Sequence, residues 1–355
     1  MDLLSLVETL GELETAALLG LATGVIFGVS AQRSRFCLRA ATVEFARRQM
    51  GDKVAVWFLT FSTAVVWVQA AQLLGLFDAA NARQMAIPGS WSGAIIGGLI
   101  FGVGMVLARG CSGRLLVLAA TGNLRSVVAG LVFAVVAQMS LAGILADSRN
   151  TLAALWVTQG GRNLDLLGAF GLPDWGGLAI GVVFAVLALV LSWRNQIPVM
   201  RIIFGAGVGF AVAVGWVSTH ALSQLAFDPV TVESVTFSGP SAHTLMFFLD
   251  RNEGVQFSVG LVPGVVLGSF SSAVVMGEFK FEGFSDAATM RRSMFGAVLM
   301  GFGAMLAGGC AIGAGVTGGS VFAGTAWLAL FCMWLGAMAT DFVLDQRGLR
   351  AGLLV

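Results

Sequence analysis

The chain has 355 residues, of which 57% are hydrophobic and 11% are charged, and its mean hydropathy is +0.89. Soluble domains carry about 25% charged residues, so this composition indicates an integral membrane protein. The net charge of +1 gives no field that would attract nucleic acid. The acidic N-terminal sequence, MDLLSLVETLGELE, lacks the basic start of a secretory signal.

Nine segments are long and apolar enough to cross about 30 Å of hydrocarbon. They are 15–31, 54–77, 92–108, 126–146, 176–193, 201–219, 256–276, 293–309 and 323–343. Four further apolar segments are too short to cross: 37–48, 111–121, 241–249 and 310–320. Short segments of this kind are typical of half-helices buried within membrane proteins. The sequence therefore predicts an all-α membrane protein in which residues 1–355 form one transmembrane domain.

The distribution of basic residues predicts the orientation of the chain. With nine spans, 16 of the 20 Lys and Arg residues fall in loops on one side, and Arg83, Arg149, Arg162 and Arg251 fall on the other. Loops rich in Lys and Arg lie on the cytoplasmic side. We therefore expect a periplasmic N-terminus and a cytoplasmic C-terminus.

The chain repeats part of its own sequence. The segment GGLIFGVGMVLARGC (97–111) aligns with GAVLMGFGAMLAGGC (296–310), and seven of the fifteen positions are identical, including Cys111 and Cys310. The two spans run in opposite directions across the membrane, so the repeats are inverted, as in many transporters. We expect a first repeat at 15–146 and a second at 201–343.

Two weaker features complete the repeat hypothesis. Residues 147–200, which include the fifth span, connect the two halves. Glycines at steps of four occur in the first span of each half, and this faint alignment places Leu222 opposite Cys37. The expected pseudo-symmetry is therefore broken at Cys37, which has no cysteine partner.

In both strong repeats a span ends at Gly-Cys and a short segment begins at once. If these segments are helical, their first backbone N–H groups have no acceptor within the helix and carry a partial positive charge that suits an anion. These N–H groups belong to Ser112, Gly113, Ala311 and Ile312. Two such helix ends approaching from opposite sides predict an anion site near the membrane centre.

A neutral thiol at such a break adds a weak S–H donor and a polarizable sulfur. Weak contacts suit a transport path, because conduction requires that the solute also be released. The alternative interpretation of Cys111 and Cys310 is simple packing, which is the usual role of a buried cysteine. Cys332 has no helix breaker beside it and is interpreted as core. Cys37 follows the basic stretch QRSRF. The sequence is equally compatible with a role in the path and with a structural position at the membrane boundary.

Other polar residues give weaker indications. Arg109, two residues before Cys111, either lowers the thiol pKa or anchors the span at the cytoplasmic face. Asp341 is either a proton-coupling acid or an interfacial one. No Cys or His spacing is typical of a metal site, so we expect no metal and no cofactor.

Three sequences identify a resemblance: QRSRFCLRAA, GVGMVLARGCSGRLLVLAATGNLRS and LMGFGAMLAGGCAIGAGVTGGS. They resemble the YeeE/YedE family of bacterial inner-membrane proteins, the sulphur-transport family that takes up thiosulfate. The similarity extends from about residue 20 to 345, and its specific part is the pair of Gly-Cys blocks. Arg109 departs from the small residue expected before the Gly-Cys pair.

The resemblance implies an hourglass-shaped monomer in which three cysteines pass thiosulfate along a central path. By their motifs these are Cys37, Cys111 and Cys310. It also implies a TusA-like cytoplasmic sulfurtransferase (YeeD) as a possible partner, which would be a separate chain here. Some relatives are linked to selenium metabolism, so the resemblance leaves a selenium species open as the solute.

The leading hypothesis is therefore a thiosulfate uptake transporter of the bacterial inner membrane, and not an enzyme. One alternative is a transporter of another sulfur or selenium species. A membrane thiol oxidoreductase is a second, although no close cysteine pair or flavin motif supports it. A scaffold that only recruits a sulfurtransferase is a third.

Overall fold

The computed structural model describes residues 3–251, 254–283 and 287–346, and these are almost entirely helical. The α-helices are α1 Leu3–Leu10, α2 Glu12–Ser34, α3 Leu38–Ala46, α4 Asp52–Leu73, α5 Arg83–Ala86, α6 Trp91–Leu107, α7 Ser112–Ala120, α8 Leu124–Ala142, α9 Ala146–Ala154, α10 Leu166–Ala169, α11 Gly176–Arg194, α12 Val199–Leu225, α13 Gly239–Leu249, α14 Phe257–Val275, α15 Ala287–Leu306 and α16 Gly324–Thr340. Two π-helical segments, Ala311–Gly318 and Asp341–Gln346, follow α15 and α16.

The nine predicted membrane crossings are confirmed. Within the described ranges, nine helical stretches are long and apolar enough to span a bilayer. Their ends differ from the prediction by a few residues; α12, for example, continues to Leu225 rather than 219. The basic residues Arg347 and Arg350, which contributed to the predicted orientation, lie outside the described residues.

The four short predicted segments are helices in the structure. They are α3, α7, α13 and the π-helical segment Ala311–Gly318. The third begins directly after Ser238, so by position in the fold Ser238 corresponds to Cys37. The faint sequence alignment had placed Leu222 there, but Leu222 lies inside α12. The four-residue glycine steps do not locate the start of a short helix, because they mark close packing of long helices.

Helices α6 and α15, which carry the two Gly-Cys repeats, pack backbone to backbone. A Cβ atom added at Gly97 would lie 2.7 Å from the carbonyl oxygen of Gly303, and one at Gly104 would lie 2.5 Å from that of Gly296. Gly97 aligns with Gly296 and Gly104 with Gly303, so the two contacts pair equivalent positions reciprocally. Glycine at these positions permits an approach that any side chain would prevent.

Helices α2 and α14 form a second close seam. Cβ atoms added at Gly20, Gly24 and Gly28 would lie only 2.1 to 2.4 Å from carbonyl oxygens of α14. In return, the carbonyl of Ala17 lies 1.9 Å from a Cβ added at Gly260. The two seams thus join α6 to α15 and α2 to α14 by close backbone contact.

Loops on the Arg83 side, which we call the outer face according to the predicted orientation, are tied to the helix ends. The backbone N–H of Trp91 donates to the carbonyl of Trp156 at 2.8 Å, and that of Gly324 donates to Leu164 at 2.7 Å. At the opposite, inner face, Arg47 donates to the fully buried Asp341 carboxylate at 2.9 and 3.2 Å. This ion pair fastens α3 to the end of α16.

Candidate functional site

Three of the four cysteines occupy the same local backbone arrangement. Cys37, Cys111 and Cys310 are the N-cap residues of α3, α7 and the π-helical segment. Two residues before each cysteine, the backbone is left-handed; these residues are Arg35 (φ 54°), Arg109 (φ 59°) and Gly308 (φ 78°). Each cysteine therefore follows a sharp reversal at the end of a long helix and starts a short one.

The sulfur of Cys310 accepts two backbone hydrogen bonds. The N–H of Gly313, in the first turn of its own helix, donates at 3.5 Å, and the N–H of Phe237 donates at 3.4 Å. Cys310 is fully buried. Because the sulfur acts as acceptor toward both N–H groups, its S–H remains available as a donor.

Cys111 is a neighbour of both other cysteines of the arrangement. It is fully buried and close enough to both Cys37 and Cys310 to interact with them electrostatically. Its sulfur lies near the backbone N–H groups of Arg114 and Leu38. The second of these belongs to the first residue of α3, so Cys111 sits at the N-terminal ends of two short helices.

Cys37 is the most accessible member of the three, being partly exposed where the other two are buried. Its extended backbone (φ −161°, ψ 113°) leads into α3. All four cysteines carry free thiols. Cys332 is buried in α16, consistent with its interpretation as core.

The two short helices that carry the predicted anion-binding N–H groups are in contact at their first turns. A Cβ atom added at Gly113 would lie 3.5 Å from Cγ1 of Ile312, so the N-termini of α7 and the π-helical segment are in contact. Ser112, Ala311 and Ile312 are 5%, 1% and 1% exposed. Two partially positive helix ends are therefore neighbours in a buried environment, where electrostatic interactions are strong.

Arg109 points away from this centre. Its side chain is exposed, and it lies near Arg125, which also has Arg39 and Glu282 as charged neighbours. Arg125 in turn donates to the carbonyl of Ala108 at 3.3 Å. Arg109 thus belongs to a basic cluster on the inner face, and its left-handed backbone explains why a small residue was expected at its position.

A cavity of about 150 Å³ with both apolar and polar residues in its wall opens near Cys310 on the outer face. Its wall includes Arg83, Gln84, Asn163, Thr236 and the bend at 306–308. Thr236 is adjacent in sequence to Phe237, whose N–H contacts the Cys310 sulfur. The cavity wall therefore ends one residue before Phe237, which contacts the Cys310 sulfur. The wall also provides the cation Arg83 and several neutral polar groups.

A carboxylate stands beside this cavity. Burial raises the pKa of Glu233 above its usual range, while the positive charges of Arg83 and His243 act in the opposite direction. The backbone around Glu233 is fixed because Thr219 Oγ1 donates to its carbonyl at 2.7 Å. Protonation of this carboxyl would remove a negative charge from the neighbourhood of Arg83.

Sequence reasoning missed the residues of the segment 232–238. The backbone N–H of Phe237 contacts the Cys310 sulfur, and Thr236 Oγ1 lies against Gly313, although this segment precedes a helix with no cysteine and no matching repeat. The only available signal was the pair Phe36-Cys37 before α3, which Phe237-Ser238 echoes before α13. Among the described residues, no group of three or more His, Cys, Asp or Glu side chains is arranged to hold a metal ion.

Comparisons with known proteins agree with the resemblance drawn from the motifs. The family described as sulphur transport matches residues 33–339. A thiosulfate transporter named TsuA from Escherichia coli K12 is 25% identical over 352 residues, covering 93% of this chain and 95% of that protein. A protein of the same name from Spirochaeta thermophila is 27% identical, covering 92% and 99% respectively.

A more distant match is shorter. The probable transporter YedE of Escherichia coli K12 is 30% identical over 186 residues, covering 50% of this chain and 42% of that protein. The TsuA proteins, in contrast, align along nearly their whole length. The resemblance stated from the Gly-Cys blocks is thereby confirmed.

Proposed function

Because its match over residues 33–339 makes the chain a member of the sulphur-transport family, we propose that it takes up thiosulfate across the bacterial inner membrane. Two relatives that align along nearly their whole length are named thiosulfate transporters. The observation that carries the proposal is the meeting of two buried helix N-termini, each headed by a cysteine.

Thiosulfate enters through the cavity on the outer face. Arg83 attracts the dianion there, and the hydroxyl and amide groups of the wall replace part of its hydration. Among the described residues that line the cavity, Arg83 is the one arginine, so the anion is held loosely enough to move on. It then meets the Cys310 thiol, whose sulfur accepts two N–H bonds and whose S–H is directed to the anion.

The order of the thiols along the path is Cys310, Cys111 and Cys37. Cys310 adjoins the segment that lines the outer cavity, Cys111 has both other thiols as neighbours, and Cys37 is the partly exposed one. The N–H groups of Ser112, Gly113, Ala311 and Ile312 stabilise the anion by their dipoles between these contacts.

The path needs no covalent chemistry at the thiols. An S–H donor and a polarizable sulfur give weak contacts to the terminal sulfur of thiosulfate, and weak contacts permit rapid release. Entry of a dianion into a negative-inside cell costs about 4.6 kcal/mol at 100 mV, from about 2.3 kcal/mol per charge. Cytoplasmic consumption, for instance by a TusA-like sulfurtransferase near the basic inner face, offsets this cost.

A growth assay tests the proposal. A bacterium that requires imported thiosulfate as its sulfur source is supplied with this chain, with Cys111→Ala or with Cys310→Ala. We expect growth with the parent chain and none with either variant at equal membrane abundance. Cys332→Ala is the matched control, because this cysteine is buried but stands at no helix break, and it should grow normally.

Competition decides between thiosulfate and a related solute. Uptake of labelled thiosulfate is measured with excess sulfate, sulfite or selenite. We expect little inhibition, because these ions lack the soft terminal sulfur. Strong inhibition by selenite or sulfite would favour the alternative of another sulfur or selenium species, and a mixed disulfide formed during turnover would favour a thiol oxidoreductase.

A further inference from the structure

One aromatic side chain lies between the two buried cysteine breaks. Phe237 is fully buried, and its backbone N–H donates to the Cys310 sulfur at 3.4 Å. Its ring lies on the other break: a Cβ atom added at Gly113 would be 3.0 Å from both Cδ2 and Cε2 of Phe237. Phe237 thus contacts Cys310 through its backbone. Through its ring it contacts α7, the helix whose N-cap residue is Cys111.

We propose that the ring of Phe237 is an apolar plug that closes the path between Cys310 and Cys111. This inference rests on the proposed function, since it assigns a gate to the same path. An apolar ring at a narrow point excludes water, and an anion cannot pass a dry constriction. The described conformation is then the closed one, with Cys310 on the outer side of the plug.

The backbone of Phe237 is fixed by its neighbours. Ser234 Oγ donates to the carbonyl of Val212 at 2.6 Å, and Thr317 Oγ1 donates to that of Val235 at 2.5 Å. These bonds hold the segment to α12 and to the π-helical segment. Opening therefore occurs by rotation of the Phe237 side chain rather than by withdrawal of the segment.

The surroundings of the ring are suited to such a rotation. On one side it meets Phe27 of α2, with ring centroids 5.1 Å apart and planes inclined at 59°. On the other side it meets Gly113, which has no side chain to obstruct it. Aromatic neighbours at this distance interact favourably but without a hydrogen bond to break, so the ring can leave and return.

Thiol labelling tests the plug without measuring transport. In a Cys310→Ser background, a charged and membrane-impermeant methanethiosulfonate is applied separately to each face of membrane vesicles, and modification of Cys111 is read by mass spectrometry. With Phe237 in place, we expect slow modification from the outer face. Phe237→Ala should accelerate it about tenfold or more, because removing the apolar ring admits water.

Two further variants keep the test decisive. Phe101→Ala is the matched control: Phe101 is equally buried, in α6 against Gly303, and its removal should leave the labelling of Cys111 unchanged. If Phe237→Ala does not fold, Phe237→Leu replaces it and should give a smaller acceleration. A folded Phe237 variant with unaltered labelling, or an equal acceleration in Phe101→Ala, would overturn the plug.

Transport measurements separate failure of the plug from failure of the proposed function. In proteoliposomes the Phe237→Ala protein should leak sulfate, which the parent chain excludes. If the parent chain transports no thiosulfate while Phe237→Ala still accelerates labelling, the plug stands and the solute assignment fails. If the parent transports thiosulfate and Phe237→Ala neither leaks sulfate nor accelerates labelling, the plug fails alone.

Discussion

The backbone N–H of Phe237 and the sulfur of Cys310 are joined by a hydrogen bond of 3.4 Å. This bond connects the segment before α13 to the helix break that starts the π-helical segment. It is also the point where the outer cavity meets the thiols. Because the bond uses sulfur as the acceptor, it leaves the S–H to donate, and the same contact both fixes the segment and orients the thiol.

The first prediction concerns the glycine seam between α6 and α15. Gly104→Ala places a methyl group 2.5 Å from the carbonyl oxygen of Gly296, so we expect a loss of about 1–3 kcal/mol or more through overpacking. Gly130→Ala, in α8 with open space around its Cα, should instead stabilise by about 0.5–1 kcal/mol. Thermal unfolding in detergent measures both, and equal effects would contradict the seam.

The second prediction concerns the left-handed residue before each cysteine. Gly308 has φ 78° and no atom within 4 Å of an added Cβ, so Gly308→Ala should cost about 1–2 kcal/mol from backbone strain alone. Arg109→Gly, at the aligned position with φ 59°, should gain stability because it relieves that strain. If Gly308→Ala instead increased the free energy of unfolding in the same assay, the left-handed backbone conformation at Gly308 would be contradicted.

The third prediction concerns the ion pair at the inner end. Asp341 is fully buried and Arg47 has a side chain 38% exposed. Arg47→Ala leaves an unpaired buried carboxylate, and the expected cost is about 2–3 kcal/mol, somewhat less than for a pair buried on both sides. Asp341→Asn should cost less, because it removes the buried charge as well.

A matched exposed pair is the control for this measurement. Arg35 and Glu278 lie 3.1 Å apart with side chains 52% and 41% exposed. Glu278→Gln should change the free energy of unfolding by about 1 kcal/mol at most. If this change equalled that of Arg47→Ala, burial of Asp341 would not account for the effect.

The fourth prediction concerns pH. Burial raises the pKa of Glu233, so its carboxylate takes up a proton at a higher pH than an ordinary glutamate, whose pKa is 4.5. Below that raised pKa the residue is neutral, and Arg83 then attracts an anion without competition. We therefore expect uptake to increase as pH falls, with the same buffer on both sides of the membrane.

Replacement of the carboxyl isolates its contribution. Glu233→Gln is neutral at every pH, so it should have high uptake at neutral pH and a flattened profile. His243, the other titratable neighbour of Glu233, supplies the comparison through His243→Gln. A profile that persists in Glu233→Gln but disappears in His243→Gln would assign the pH dependence to the histidine instead.

Much of the membrane fold was predictable because hydrophobic length directly determines a span. The short segments after Cys37, Cys111 and Cys310 were also predictable, since glycine or a basic residue at a span end marks a break. The boundary of α12 was not, because Thr219, where the predicted span ends, is buried against the segment 232–238 rather than exposed at the membrane boundary.

The site was predictable only in its repeated part. Cys111 and Cys310 carried a signal because the same string occurs twice, and both stand where expected. Phe237 carried only the faint echo of Phe36-Cys37 in Phe237-Ser238, since a buried Phe looks alike in any core and its contacts with Gly113 and Cys310 join residues far apart in sequence. Arg109 gave an ambiguous signal, because the left-handed backbone that explains its position leaves no trace in composition.

The most direct measurement is uptake of labelled thiosulfate into liposomes that contain only the purified chain. We predict saturable uptake by the parent chain, uptake reduced at least about tenfold by Cys111→Ala and by Cys310→Ala through loss of the thiol contacts, and unchanged uptake by Cys332→Ala. Full uptake by folded Cys111→Ala and Cys310→Ala proteins would contradict the thiol path, and absence of uptake by the parent chain would contradict transport of thiosulfate.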